Sequence, residues 1–250
     1  LDQMPDECNQ LFKGSMKNII KGETEEFESF NREDFYTIPL EVMKCKSLND
    51  SFKVFKESEH FEGYKVDGLP NPINILKFAR IEKAPPILVL QLKRFEYNLQ
   101  TFSRVKINNR FEFSNEIDIA PIMCDDSTPT PYNLIGVVVH RGTAQGGHYN
   151  SLIKVNEKWI LFNDHEVTEF PSENFEKETF GSLVSHYGYD ASPSAYLLFY
   201  CSADFDINST ISFNEEIINK VKVENEEFMR QQAVFSKVFF KYAMNIDDPL

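Results

Sequence analysis

Residues 132–164 read YNLIGVVVHRGTAQGGHYNSLIKVNEKWILFND, and this stretch decides the fold of the region. It contains two short apolar segments, at 134–139 and 159–162, and a mixed segment at 149–155, with turn residues between them. No segment of helical length and periodicity separates the three. Short strands joined directly by turns are typical of an antiparallel meander, so we predict that consecutive strands pair side by side here.

The same stretch carries residues with catalytic potential. His148 follows Gly146 and Gly147, and Asn163 and Asp164 end the third segment. A histidine general base needs an acceptor for its other ring nitrogen. Because side chains alternate along a strand, Asn163 and Asp164 face opposite ways, and only one of them can meet the histidine directly. The spacing alone also fits a hairpin turn with an incidental histidine.

The composition limits the classes of function. The 250 residues are 42% hydrophobic and include 23 phenylalanines, which predicts a well-filled core. The net charge of −13 argues against a nucleic-acid or anionic-membrane partner, since both require a basic face. No run of apolar residues is long enough to span a membrane.

The cysteines are sparse. Cys8, Cys45, Cys124 and Cys201 lie far apart, and no C-x-x-C pair is present. We therefore expect no zinc site, and we expect no metal or cofactor elsewhere. Sparse thiols also favour a reducing, intracellular setting, either cytoplasmic or nuclear.

Other segments predict further elements. Ser47 and Asp50 indicate a helix start, and the helical spacing that follows runs to Glu59. The apolar run Ile87–Leu92 predicts a buried strand. Alternation over 105–113 predicts a longer two-faced strand. An amphipathic pattern over 215–242 predicts a long or broken helix.

Five short motifs occur in a fixed order along the chain. They are Gln91-Leu92-Lys93-Arg94-Phe95, Lys106-Ile107-Asn108, Gly146-Gly147-His148-Tyr149, Trp159 with Phe162-Asn163-Asp164, and Ala195-Tyr196-Leu197-Leu198-Phe199-Tyr200. The series resembles the ubiquitin-specific protease family of papain-like cysteine deubiquitinases. Three further segments resemble the finger-and-helix region of that family and extend the likeness to about residues 11–200: Leu11-Phe12-Lys13-Gly14, Arg32-Glu33-Asp34-Phe35-Tyr36 and Leu48–Phe55. The likeness is strongest to its herpesvirus-associated subgroup, which also lacks the zinc-binding cysteine pairs of the fingers.

The resemblance implies an α+β, papain-like fold with an antiparallel palm sheet, finger strands, a largely missing thumb and a C-terminal helix. Residues 1–202 would form the C-terminal part of the catalytic domain, comprising fingers and palm. Residues 203–250 would form a helical extension or a linker to a following domain.

The resemblance also implies roles for individual residues. His148 matches the general base, Asn163 falls on the third triad position, and Asp164 matches the adjacent supporting acid. Gly146, Gly147 and Tyr149 match the border of the channel for the ubiquitin tail, where a narrow slot suits a tail that ends in two glycines. The side chains of Arg94, Phe95 and Tyr196 match positions that are mainly structural.

The family's nucleophile motif, of the type Asn-x-Gly-x-x-Cys, is absent from these residues. Cys8 has acidic neighbours, which disfavour a thiolate. Cys45 falls in the finger region, Cys124 in a loop and Cys201 at the end of the last strand. We expect none of the four to be the nucleophile, and we expect the isolated chain to be inactive.

Three functions remain open. The chain is the later part of an active deubiquitinase, whose partners are ubiquitin and ubiquitinated proteins. Alternatively, it is a ubiquitin-binding pseudoenzyme that lacks a nucleophile. A third possibility is a scaffold whose C-terminal helix binds another protein.

Overall fold

A computed structural model describes residues 6–182, 192–206 and 214–234. Contacts within the chain divide it into two compact units, Leu1–Phe205 and Asp206–Leu250. The first unit mixes helices with antiparallel sheets, which confirms the predicted α+β class.

The described residues contain fourteen strands. They are β1 (Gly14–Gly22), β2 (Glu28–Phe35), β3 (Ile38–Leu40), β4 (Glu59–Tyr64), β5 (Ile73–Lys83), β6 (Ile87–Leu92), β7 (Phe95–Asn98), β8 (Ser103–Lys106), β9 (Glu116–Asp118), β10 (Pro131–Gly142), β11 (Gly147–Val155), β12 (Lys158–Asn163), β13 (Glu166–Phe170) and β14 (Ser194–Ser202). The α-helices in the same ranges are α1 (Asp6–Phe12), α2 (Leu48–Lys56), α3 (Phe175–Thr179) and α4 (Glu215–Val234).

The largest sheet has eight strands. Its order is β13-β12-β11-β10-β14-β6-β3, and β9 pairs with the beginning of β10. The four strands from β10 to β13 are consecutive and antiparallel, so the predicted meander is confirmed. The predicted strand Ile87–Leu92 is β6, and all but one of its residues are buried.

The four-stranded sheet has the order β2-β1-β5-β4 and lies where the sequence predicts finger strands. An ionic cluster joins three of its strands. Glu82 of β5 accepts from Arg32 of β2 at 2.7 and 2.9 Å, and Lys17 of β1 lies 2.9 Å from the same carboxylate.

One face of the eight-stranded sheet packs on the phenylalanine-rich core. Trp159 of β12 lies 4.7 Å, centroid to centroid, from Phe175 of α3. Phe113 lies 4.8 Å from Phe180, and Phe111 is fully buried beside them. These contacts position α3 against the sheet close to the end of β10.

The long strand predicted over 105–113 is wrong beyond Lys106. From Ile107 onward the backbone bonds to loops rather than to a strand: the amide of Phe111 donates to Phe180 O at 2.8 Å, and that of Glu112 to Lys46 O at 2.9 Å. The apolar pattern is matched only in part, because Ile107, Phe111 and Phe113 are buried whereas Val105 is exposed. It reflects burial along an extended connector and not a ladder.

The helix start at Ser47 is confirmed, since the Ser47 side chain accepts from the Asp50 amide. The helix ends at Lys56 rather than reaching Glu59. Glu57 has an extended backbone and donates to Lys53 O and Val54 O, which closes the last turn. Glu59 instead begins β4.

In the second unit, Glu215–Val234 forms a continuous helix, α4, as the sequence predicts. The rest of the helix predicted over 215–242 lies outside the described residues. Among the described helices, none is both long and apolar enough to cross a membrane.

Candidate active site

The register between β11 and β12 brings His148 and Asn163 together. A two-residue turn connects the strands, and both of its residues have positive φ, 47° at Asn156 and 64° at Glu157. This is the pattern of a type I′ hairpin turn, which fixes the pairing of the flanking strands. Ser151 pairs with Phe162, so His148 and Asn163 lie on one face as diagonal neighbours. A slip of one residue would turn Asn163 to the other face.

The histidine and the carboxamide are in direct contact. His148 Nε2 lies 2.5 Å from Asn163 Oδ1. A neutral imidazole that donates from Nε2 to this oxygen keeps its lone pair on Nδ1. The His148 side chain is about half exposed within the described residues, so Nδ1 is left accessible for proton transfer.

Asp164 is farther from the histidine. Its Oδ2 lies 4.0 Å from His148 Nε2, beyond hydrogen-bond length, and its side chain is 72% exposed. Asp164 also has a left-handed backbone, with φ of 52°, and it is the first residue of the two-residue turn between Asn163 and Glu166. The geometry therefore selects Asn163 as the direct partner and leaves Asp164 as a nearby charge.

The glycine-rich turn joins β10 to β11 through residues 143–146. Gly142 and Gly147 form the closing pair, and Gly142 has φ of 133°. A Cβ on Gly147 would lie 2.3 Å from His140 Nε2, whereas a Cβ on Gly146 would meet nothing within 4 Å. The sequence therefore identifies the right turn, but the unusual backbone angle lies at Gly142, and Gly147 is required for close approach.

Tyr149 points to the sheet face opposite His148. Its ring lies 4.7 Å from that of His140 and 5.8 Å from that of Tyr196, and Phe95 contacts both His140 and Tyr196. Tyr149 remains about half exposed above this cluster. The resemblance assigns structural roles to Phe95 and Tyr196, and both pack in the ring cluster that lies below the turn.

His140 is a residue of the site that sequence reasoning missed. It is buried, and its Nδ1 has no hydrogen-bond partner among the described residues. Burial, with the positive charge of Lys106, lowers the pKa of His140, which keeps the ring neutral. Its position at the end of an apolar strand was the only signal in the sequence.

Arg94 is buried behind the same region. Its guanidinium donates to four carbonyl oxygens, those of Ile107, Asn109, Phe180 and Ala195, at 2.7 to 3.3 Å. Burial lowers the pKa of Arg94 to about 10. These contacts tie the connector after β8 to β14, which is a structural role.

The cysteines whose side chains are described lie away from His148. Cys45 is buried in the turn after β3, at the far edge of the sheet, and Cys124 approaches Arg80 O of the four-stranded sheet. Cys201 pairs with Asn133, and His148 pairs with Arg141, which places them about 26 Å apart along β10. Cys8 belongs to α1, and its side chain is outside the described part.

Metal-binding residue types do not cluster in the described ranges. No group of three or more histidine, cysteine, aspartate or glutamate side chains there is arranged to hold a metal ion.

Comparison with known proteins gives a consistent family. The model of the ubiquitin carboxyl-terminal hydrolase family matches residues 2–200. Ubiquitin carboxyl-terminal hydrolase 15 of Saccharomyces cerevisiae is 36% identical over 192 residues, covering 69% of this chain and 15% of that protein. Ubiquitin carboxyl-terminal hydrolase 34 of Homo sapiens is 27% identical over 293 residues, covering 96% of this chain and 8% of that protein.

The solved structures agree. The SAGA DUB module of Ubp8, Sgf11, Sus1 and Sgf73 bound to monoubiquitin matches with a TM-score of 0.67 and 27% identity, covering 79% of this chain and 42% of that chain. The same module bound to ubiquitin aldehyde matches with a TM-score of 0.65 and 26% identity over the same shares. This chain therefore spans less than half the length of each of these relatives.

The family match covers well over half of the residues, and the fold agrees with it, including the papain-like arrangement that the resemblance implies. The chain belongs to the ubiquitin carboxyl-terminal hydrolase family.

Proposed function

We propose that these residues supply the base half of a cysteine-type deubiquitinase, which hydrolyses the peptide or isopeptide bond after the C-terminal glycine of ubiquitin. The observation that carries the proposal is the contact of 2.5 Å between His148 Nε2 and Asn163 Oδ1, in a chain of this family. Ubiquitin and ubiquitinated proteins are the proposed partners.

His148 transfers one proton in each half of the reaction. His148 Nδ1 accepts the proton of the attacking thiol, and the sulfur bonds to the carbonyl carbon of the terminal glycine. The imidazolium then returns the proton to the leaving amine as the carbon–nitrogen bond breaks, which leaves a thioester. In the second half, Nδ1 accepts a proton from water, the hydroxide displaces the sulfur, and the thiol is re-formed. Asn163 holds the ring throughout, and Asp164 supports the site as a nearby charge.

The thiol is proposed to come from a segment outside these 250 residues. Cys45, Cys124 and Cys201 all lie far from His148 in the structure. By this proposal residues 1–202 are the C-terminal part of the catalytic domain, and the missing segment supplies the thumb, the cysteine and most of the oxyanion hole. Alone, the chain does not turn over substrate.

The glycine turn is proposed to border the channel for the ubiquitin tail. Gly147 lies against His140 without a side chain, Gly146 is open, and Tyr149 is half exposed beside them. A tail that ends in two glycines fits such a narrow path. The similar SAGA module has been solved with monoubiquitin bound, which supports the same ligand here.

The subgroup and the compartment are also proposals. The described residues of the four-stranded sheet contain no cysteine pair, as in the herpesvirus-associated subgroup. The three described thiols are free, which fits an intracellular site, cytoplasmic or nuclear. Metal analysis of the purified protein and imaging of a fluorescent fusion test these two proposals.

The central test uses the full-length protein and a fluorogenic ubiquitin substrate. His148→Ala is expected to abolish turnover, because general base catalysis contributes about 10²- to 10⁴-fold. His165→Ala is the matched control, since His165 is exposed in the neighbouring turn and, among the described residues, His148 hydrogen-bonds to Asn163 instead. Turnover that persists in His148→Ala would show that the assigned base is wrong.

A ubiquitin-binding pseudoenzyme is the second candidate, and the distance of the described cysteines from His148 favours it for this chain alone. A ubiquitin probe with a C-terminal electrophile separates the two functions. A covalent adduct with the full-length protein identifies an enzyme, whereas saturable binding without an adduct identifies the pseudoenzyme. A scaffold role of the C-terminal helix predicts that deletion of residues 204–250 removes a protein partner and leaves ubiquitin binding intact.

A further inference from the structure

Lys106 is a partly buried cation next to the glycine turn. Its Nζ lies 2.9 Å from His140 O, 3.3 Å from Gly142 O and 2.7 Å from Ser192 O. An ammonium group has three N–H donors, so the three carbonyls saturate it. No carboxylate of the described residues pairs with Lys106.

Two of these acceptors flank the residue that pairs with His148. Arg141 is the partner of His148 in the sheet, and His140 and Gly142 lie on either side of it, paired with Tyr149 and Gly147. Lys106 therefore holds the end of β10 from its far edge, while β11 holds it from the other. The closing pair Gly142–Gly147 and the His140 ring below it both depend on this segment of β10.

A second contact links β8 to this part of the chain. Gln145, in the turn itself, donates from Nε2 to Arg104 O of β8 at 3.0 Å. The hairpin of β7 and β8 pairs with neither of the larger sheets. Lys106 thus fastens this hairpin to the end of β10, and Gln145 fastens it to the turn that precedes His148.

A charged Lys106 side chain would be unfavourable at this position without its hydrogen bonds. Burial, and the charges of Arg94 and Arg141, lower the pKa of Lys106 to about 8. An apolar side chain of similar volume would avoid that cost if only packing were required. The carbonyl oxygens of β10 and of the chain before β14 supply the contacts that retain the charge.

We propose that Lys106 is a positioning residue for the catalytic histidine: it fixes the end of β10, and through the closing pair Gly142–Gly147 it sets where the His148 ring stands. The proposal rests on the proposed deubiquitinase function. Lys106 touches neither His148 nor a substrate, so it acts only through the strand. Its loss displaces the ring relative to the incoming thiol and leaves the ubiquitin-binding surface outside the glycine turn in place.

Lys106→Met in the full-length protein tests this, with Lys158→Met as control. Lys158 lies in the same meander, at the end remote from His148, and its side chain makes an exposed ion pair with Glu169. For Lys106→Met we expect kcat on fluorogenic ubiquitin to fall about 10- to 100-fold, since a displacement near 1 Å costs up to about 100-fold. KM and the Kd for ubiquitin should stay within about twofold of wild type.

A second measurement reports the thiol directly. The rate of iodoacetamide alkylation of the catalytic cysteine depends on how much thiolate the histidine stabilises. Lys106→Met should slow alkylation at neutral pH, whereas a purely structural role would leave the rate of the folded protein unchanged. If Lys106→Met does not melt cooperatively, Lys106→Arg, which keeps a cation with displaced donors, is assayed in its place with the same expectation.

The outcomes separate the two proposals. An active wild type with unchanged kcat and alkylation rate in the folded Lys106 variant overturns the positioning role and leaves the deubiquitinase intact. An inactive wild type that forms no adduct with the electrophilic probe overturns the proposed function, and with it the positioning role that rests on it. A parallel fall in kcat and in ubiquitin affinity would assign Lys106 to general stability and also overturn the proposal.

Discussion

The imidazole of His140 lies directly against Gly147. A Cβ on Gly147 would be 2.3 Å from His140 Nε2 and 2.5 Å from Arg141 O. The first residue of β11 is therefore restricted to glycine by a buried side chain below it. Gly146, one residue earlier, has no such neighbour.

Gly147→Ala is predicted to destabilise the domain by about 1–3 kcal/mol, the usual range for overpacking. Gly146→Ala is the matched control, because its added methyl group meets open space and Gly146 does not have positive φ. Urea unfolding of the two variants measures the difference. Equal free energies of unfolding for the two variants would show that the His140 side chain can move aside without loss of stability.

Asn163→Ala is predicted to lower kcat of the full-length enzyme more than Asp164→Ala. Asn163 contacts the ring at 2.5 Å, whereas Asp164 stands at 4.0 Å and is largely exposed. A hydrogen bond to a charged group contributes about 1.5–3 kcal/mol, which corresponds to roughly a 10- to 100-fold loss in kcat for Asn163→Ala. Steady-state kinetics on fluorogenic ubiquitin gives both values. A larger loss in Asp164→Ala would assign the orienting role to Asp164.

The Glu82 cluster is predicted to make stability depend on acid pH. Hydrogen bonds from Arg32 and Lys17 lower the pKa of Glu82 from 4.5 to about 2. The unfolded chain takes up a proton on this carboxylate at a higher pH than the folded chain, so the stabilisation is complete above about pH 4.5 and is lost as pH falls toward 2. The Tm difference between wild type and Glu82→Gln should therefore shrink through that window. Glu33→Gln on β2, which breaks no ion pair of the described residues, should show no such trend.

Arg94→Met is predicted to destabilise the domain strongly. It removes a donor group from four carbonyl oxygens, and each buried polar group left unsatisfied costs about 1–3 kcal/mol. Arg110→Met is the control, because Arg110 makes exposed ion pairs with Glu112 and Glu176, which contribute about 0–1 kcal/mol each. Thermal unfolding compares them, and similar Tm values for both would contradict the role of Arg94.

Local patterns predicted much of the fold. The cap at Ser47, the buried strand Ile87–Leu92 and the meander from β10 to β13 each depend on neighbouring residues, and each is confirmed. The alternation over 105–113 misled because apolar side chains such as Ile107, Phe111 and Phe113 are also buried in an extended connector. Only the distant partners Phe180 and Lys46 distinguish the connector from a strand, and no local pattern contains them.

The candidate site was likewise predictable only where it depends on residues that are near one another in sequence. The separation of His148 from Asn163 and Asp164 predicts that at most one of the two meets the histidine directly, and the resemblance points to Asn163, whose role stays a prediction. His140 and Lys106 were not predictable as parts of the site. The position of His140 follows from strand pairing across β10, and that of Lys106 from hydrogen bonds to main-chain oxygens. Neither can be inferred from the identity of the side chains.

The backbone at Asp164 bears on how related sequences are interpreted. With φ of 52°, this position favours glycine, asparagine or aspartate whatever the neighbouring histidine does. Turn geometry alone would thus preserve an acidic or amide residue here in a relative that had lost hydrolysis altogether. Position 163 carries no such backbone requirement, so turn geometry does not account for the accepting side chain of Asn163.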